Sequence, residues 1–160
     1  MPDHYKYINL TYLESISEGN NDIIKELIEI FLDQIPEFTD GMTHCFDTKD
    51  WKGLAALAHK AKSSVLSMGM NHLGDVELKN LELLSKQQHL IGLKEDHSAE
   101  ALKETEKINA NLTNYYPDRL EWIQKNNSPE TIQEIIKSFI LQCENASLEL
   151  NNELKKIASL

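Results

Sequence analysis

One histidine in this chain stands where an imidazole could act as a nucleophile: His59, within Leu57-Ala58-His59-Lys60-Ala61-Lys62-Ser63-Ser64. On a helix its neighbours lie three and four residues away. These are Ala55 and Ala56 on one side and Lys62 and Ser63 on the other, and the short side chains of the two alanines and the serine leave the ring open to an approaching protein. Between positions 49 and 64 stand Lys49, Lys52, Lys60 and Lys62 against only Asp50, in a chain whose formal net charge is −10. A local cationic patch in an acidic protein favours an added phosphoryl dianion. The chemistry these residue types allow is therefore that of a phosphoryl acceptor.

A helix must present that ring. From Trp51 to Met68 the apolar residues Trp51, Leu54, Ala58, Ala61, Val65 and Met68 recur at helical spacing, and at about 100° per residue His59 falls at the edge of their stripe, facing water. Asp50 or Thr48 starts this helix, and Gly69 stops it as the left-handed residue a helix end favours. Upstream, Asn9 or Thr11 caps a short helix through Ser17. Asn21 then caps a long one striped by Ile24, Leu27, Ile28, Phe31 and Ile35, which Pro36 kinks and Phe38 and Met42 carry to about Phe46. Downstream, Asn71 opens a helix with Leu73, Val76, Leu81 and Leu84 inward, and the polar stretch from Lys86 to Asp96, with Gly92, reads as a loop. Ser98 caps a helix to about Tyr116 whose stripe of Leu102, Thr105, Ile108, Leu112 and Tyr115 is only half apolar, and Pro117 ends it. No alternating strand pattern occurs. The predicted fold is all-α, an antiparallel bundle of four principal helices with an extra short N-terminal helix and a long C-terminal one.

The residues around His59 resemble the histidine-containing phosphotransfer (HPt) family of phosphorelays. That family shows an alanine-histidine pair, a lysine three after the histidine, small residues next, and a glycine about ten after it. Here those positions are Ala58, His59, Lys62, Ser63, Ser64 and Gly69. The likeness runs from Asn9 through Leu81-Glu82 and loosely to Tyr116. Two departures stand out: Ser63 replaces a usual glycine, and Leu78 stands where many members carry cysteine.

The resemblance implies a phosphorelay intermediate that takes a phosphoryl group from a receiver aspartate of a response regulator or hybrid histidine kinase onto His59 and passes it on. Such a protein is a phosphocarrier without independent turnover. It needs no cofactor of its own, the Mg²⁺ residing on the receiver. Lys62, Lys60 and Ser63 would stabilise the phosphoryl group, and Ala55, Ala56, Ser64, Leu66, Leu13 and Ile16 would form the docking surface. The alternative is a helical interaction module that binds a receiver or kinase domain without passing phosphate.

Composition narrows the field further. Acidic residues number 26 against 16 basic ones, which argues against a nucleic-acid surface. No apolar run approaches the ~20 residues of a membrane span, and the first residues lack the basic and apolar segments of a signal peptide. Cys45 and Cys143 fit free thiols in a reducing compartment, so a cytoplasmic location is expected. No glutamate precedes a histidine by three residues and no two histidines are four apart, so no metal site is expected. Scattered glycines give no nucleotide cradle.

The expected domain division is an HPt-like phosphotransfer domain over residues 1–117 and a C-terminal helical extension over 118–160. There Ser128-Pro129-Glu130 starts a long helix striped by Ile132, Ile136, Phe139, Cys143, Ala146, Leu150 and Ile157. That stripe must be buried against the bundle or against a second copy of the chain, as a homo-oligomer.

Overall fold

The computed structural model describes residues 4–160, and among these it holds seven α-helices, one π-helical turn and no strand. The helices are α1 (Thr11–Ser17), α2 (Asn21–Asp47), α3 (Trp51–Ser67), α4 (Leu78–Leu93), α5 (Ala99–Leu112), α6 (Pro117–Lys125) and α7 (Pro129–Ala158), with the π turn Leu73–Glu77 running directly into α4. Leu73 and Leu78, five residues apart, both reach the core, the spacing that a π turn brings onto one face.

Capping residues set most boundaries. Asn20, one residue before the expected Asn21, accepts from the backbone N–H groups of Asp22 and Ile23 at the start of α2. Asp50 accepts from the Gly53 N–H at 2.9 Å to start α3, and Ser98 and Ser128 do the same for α5 and α7. Helix α2 continues through Pro36 to Asp47. Phe38 and Met42 beyond the proline are fully buried, and their packing carries the helix past the hydrogen bond the proline cannot make. Gly69, at φ +77, turns the chain after α3. A side chain there would be strained by that φ and would also lie 2.3 Å from the Asn9 carbonyl oxygen, because the Asn9 N–H is bonded to the Met68 carbonyl at 2.9 Å.

Four long helices close a ring: α2 packs on α3 and α7, and α4 packs on α3 and α7. One apolar core fills it, running from Ile24, Ile28 and Phe31 through Leu54, Ala58, Ala61 and Val65 to Leu81 and Leu84, and on to Ile132, Ile136, Phe139, Cys143, Ala146 and Leu150. The stripe of α7 from Ile132 to Leu150 is thus covered by the chain's own α2 and α4, and Ile157 beyond it is half-buried. Residue 118 marks where the resemblance stops and not where a core ends. At the other edge residues 5–8 cross α7. The Glu149 carboxylate accepts from the N–H groups of Lys6, Tyr7 and Ile8 at 3.0, 2.7 and 3.2 Å, and the Tyr5 hydroxyl donates to Glu153 at 2.6 Å.

Three expectations downstream of α3 need correction. Lys86 to Leu93 is helix, not loop: Leu90 is buried, and Lys86, Gln88 and His89 are half-buried with partners on α5 and the α6–α7 turn. The fifth helix ends at Leu112, and Pro117 starts α6 instead of stopping α5, occupying the first turn, where its missing N–H costs nothing. Leu102 is exposed, and α5 turns Ala101 and Leu112 inward.

Candidate functional site

His59 projects from the middle of α3 with 68% of its side chain exposed, while the Glu82 side chain on α4 is only 3% exposed. Between them, His59 Nδ1 and Glu82 Oε1 are 2.7 Å apart. An ionised carboxylate can only accept, so the proton of a neutral ring sits on Nδ1 and the Nε2 lone pair is free to react. The arrangement thus fixes both the tautomer and the orientation of the imidazole. The second oxygen of Glu82 lies 3.6 Å from Lys86 Nζ, and Lys86 donates to Asn111 Oδ1 of α5 at 2.8 Å.

Glu82 holds this place because of α4. Leu78, Leu81, Glu82 and Ser85 are all buried, at the spacing of one helix face, and α4 packs along α3. A carboxylate therefore occupies a position in an apolar stripe. The signal for it in the sequence is an acid inside Leu81-Glu82-Leu83-Leu84, where burial needs a partner; Glu82 is not among the site residues expected from the His59 motif.

A groove of about 960 Å³ runs beside the ring, lined by Ala55, Ala56 and Lys52 of α3, Glu82, Lys86 and His89 of α4, and one face of α5. Glu104 of α5 closes its far side, its Oε1 lying 2.9 Å from Lys52 Nζ and 3.1 Å from His89 Nε2. Hydrogen bonds from these two groups hold the Glu104 carboxyl below its ordinary value, and Glu104 raises that of Lys52. On the opposite flank of α3 lies a smaller groove, with Tyr12, Ile16 and Ile30 exposed on α1 and α2 and Ser63, Ser64 and Ser67 along its edge.

The expected site residues fall at different places in this frame. Lys62 is half-buried on α3 and forms no ion pair among the described residues. Lys60 is drawn to α2, where it meets Glu37 Oε1 at 2.6 Å, so its charge is already answered away from the ring. Ser63 is exposed, and Ser64 donates to Gln34 Oε1 at 3.0 Å. Ile16 is exposed, but Leu13 is 1% exposed and belongs to the core, which corrects its placement in a docking surface. Leu66 packs against Gly74, whose Cα leaves room for it. Ala56 is exposed, whereas Ala55 is buried at the groove floor.

Residues 26–104 match the family model of the Hpt domain. The chain belongs to the Hpt domain family. Hpt domains are histidine phosphotransfer modules of two-component signalling, and the matched segment runs from the first turns of α2 through His59 and Glu82 to Glu104. Helices α1, α6 and α7 lie outside the match. No curated protein and no solved structure matches the chain. Among the described residues no helix is long and apolar enough to cross a membrane, and no three His, Cys, Asp or Glu side chains cluster so as to hold a metal ion.

Proposed function

We propose that this Hpt protein is a phosphorelay intermediate that carries a phosphoryl group on Nε2 of His59. The observation that carries the reading is the pairing of an exposed imidazole with a buried carboxylate: 2.7 Å from Nδ1 to Glu82, with Nε2 left to solvent. In the transfer, the Nε2 lone pair attacks phosphorus, the bond from phosphorus to the receiver's aspartyl oxygen breaks, and its electron pair leaves on the aspartate. The proton on Nδ1 stays where it is. The ring becomes positive as the N–P bond forms, and Glu82 already faces that charge, so no side chain need act as acid or base. The Mg²⁺ of the reaction belongs to the receiver, and the protein is a carrier with no turnover of its own.

The receiver docks, in this reading, over the apolar flank made by Tyr12, Ile16 and Ile30, whose edge of serines keeps the surface low beside the acceptor. Lys62 and the Ser63 hydroxyl lie one helical turn from His59 and assist the phosphoryl oxygens. Phosphate arrives from the receiver domain of a hybrid histidine kinase or response regulator and leaves to another. The ring of α2, α3, α4 and α7 acts as an antiparallel four-helix bundle. Short turns reverse the chain between α2, α3 and α4. Glu77, just before α4, meets Gln142 within α7, while Gln88 near the end of α4 meets Asn127 before α7 starts. We place the protein in the cytoplasm, where Cys45 and Cys143 stay as thiols. Burial pushes Cys143 up to about 12, which makes it inert.

Incubation with a panel of phosphorylated receivers is expected to label the protein with an acid-labile, base-stable phosphate. The His59→Gln variant, whose amide N–H can serve as donor to Glu82 in place of the ring, should keep the wild-type circular dichroism and take up no label. Labelling of that variant would refute the assignment, and receiver binding without labelling of the wild type would favour a pure interaction module.

A further inference from the structure

We propose that Lys86 is a positioning residue for the phosphoryl acceptor, acting through Glu82 and anchored in turn by Asn111 of α5. The inference rests on the reading of His59 as the acceptor and extends it to residues outside the histidine helix. A chain of contacts leads outward from the ring: His59 Nδ1 to Glu82 Oε1 at 2.7 Å, Glu82 Oε2 to Lys86 Nζ at 3.6 Å, and Lys86 Nζ to Asn111 Oδ1 at 2.8 Å.

Each link has a physical reason. A carboxylate that is 3% exposed has lost most of its water, and a single imidazole N–H satisfies only one of its oxygens. Lys86 supplies the counter-charge to the other oxygen, which fixes the plane of the carboxylate and so the direction of the oxygen that faces Nδ1. The Lys86 side chain is itself 25% exposed, and its long stem would let the ammonium swing into the groove. Asn111 prevents this by accepting one of its protons from the far wall. Lys52 and Lys60 are committed elsewhere, to Glu104 and Glu37, and among the described residues Lys86 is the lysine that lies within ion-pair distance of Glu82. Helix α5, although it sits on one side of the bundle, thereby sets how firmly the acceptor's partner is held.

The test uses the full chain with Lys86→Met, Lys86→Arg and Asn111→Ala, each first checked for an unchanged helical spectrum. Two quantities are read: the rate of phosphoryl transfer from a phosphorylated receiver at saturating and subsaturating receiver, and the ¹⁵N spectrum of the His59 ring. For Lys86→Met the saturating rate should fall about tenfold, as for other residues that orient a reacting ligand from behind, with the half-saturating receiver concentration unchanged. The ring spectrum should change from one Nδ1–H tautomer to a mixture. Lys86→Arg should restore the single tautomer, and Asn111→Ala should fall between. A Lys86→Met protein with the wild-type rate overturns the proposal, as does one that loses rate while the ring spectrum stays unchanged. If the wild-type protein accepts no phosphate, the phosphocarrier reading fails instead. The ring spectra then still decide whether Lys86 holds Glu82 and His59 in place.

Discussion

Helices α5 and α7 both follow the acceptor in the chain, yet they join the molecule by different physics. Helix α7 turns Ile132, Ile136, Phe139, Cys143, Ala146 and Leu150 into the core and forms one wall of the ring. Helix α5 buries only Ala101 and Leu112. What binds it is chiefly polar: Glu104 between Lys52 and His89, and Asn111 on Lys86. Apolar burial is insensitive to pH and to moderate salt, whereas exposed ion pairs are weak and screened. The wall that shapes the scaffold is therefore permanent, and the wall that faces the acceptor groove is the more easily released.

The sharpest way to break this contrast is through the centre of α7. Phe139 is fully buried, and Phe139→Ala should cost about 3–5 kcal/mol, since both transfer energy and packing are lost and a cavity remains. Urea melts followed by circular dichroism would measure it. A loss below about 1 kcal/mol would show that the rest of the ring closes without this wall.

A smaller effect should come from the strap that residues 5–8 lay over α7. Glu149 satisfies three successive backbone N–H groups with one carboxylate. Glu149→Ala leaves them to water or to nothing and should cost about 1–3 kcal/mol. Amide exchange at Lys6, Tyr7 and Ile8 should accelerate together while the amides of α5 keep their protection. An equal acceleration in α5 would mean that the two regions are one unit.

The contrast between α5 and α7 also explains what could be read in the chain. The stripe of α7 and its start at Ser128-Pro129 are local patterns, and the helix forms where they place it. The face of His59 was legible for the same reason, because small residues and a single apolar stripe on α3 fix its direction. The end of α4 was not. Lys86, Gln88 and His89 look like loop residues, and they are helical because Asn111, Asn127 and Glu104 meet them from elements far along the chain. Polar side chains that face polar partners leave no periodic signature. For Glu82 the chain carries a partial signal, an acid inside a leucine run. That run shows that the acid needs a partner, and only the packing of α4 on α3 brings its carboxylate to the His59 ring.

The finest distinction is one of pH. The Glu104 carboxyl lies below its ordinary value of 4.5 in the folded protein because Lys52 and His89 bond to it. A depressed folded value means that the charged form is the one folding favours. Its contribution is fully present above the unfolded value, and it is lost as the pH falls through the depressed one. Acidification from pH 5 toward 3 should therefore loosen α5 against α3 and α4 before it affects α7, whose contacts hold no comparable pair in the core. Exchange measured across that range should show a several-fold loss of protection in α5 alone, the scale of an exposed ion pair. Glu104→Gln should produce the same loosening at neutral pH and remove the further dependence on acid. If α5 and α7 lost protection at the same pH and to the same extent, the division between a permanent and a releasable wall would not stand.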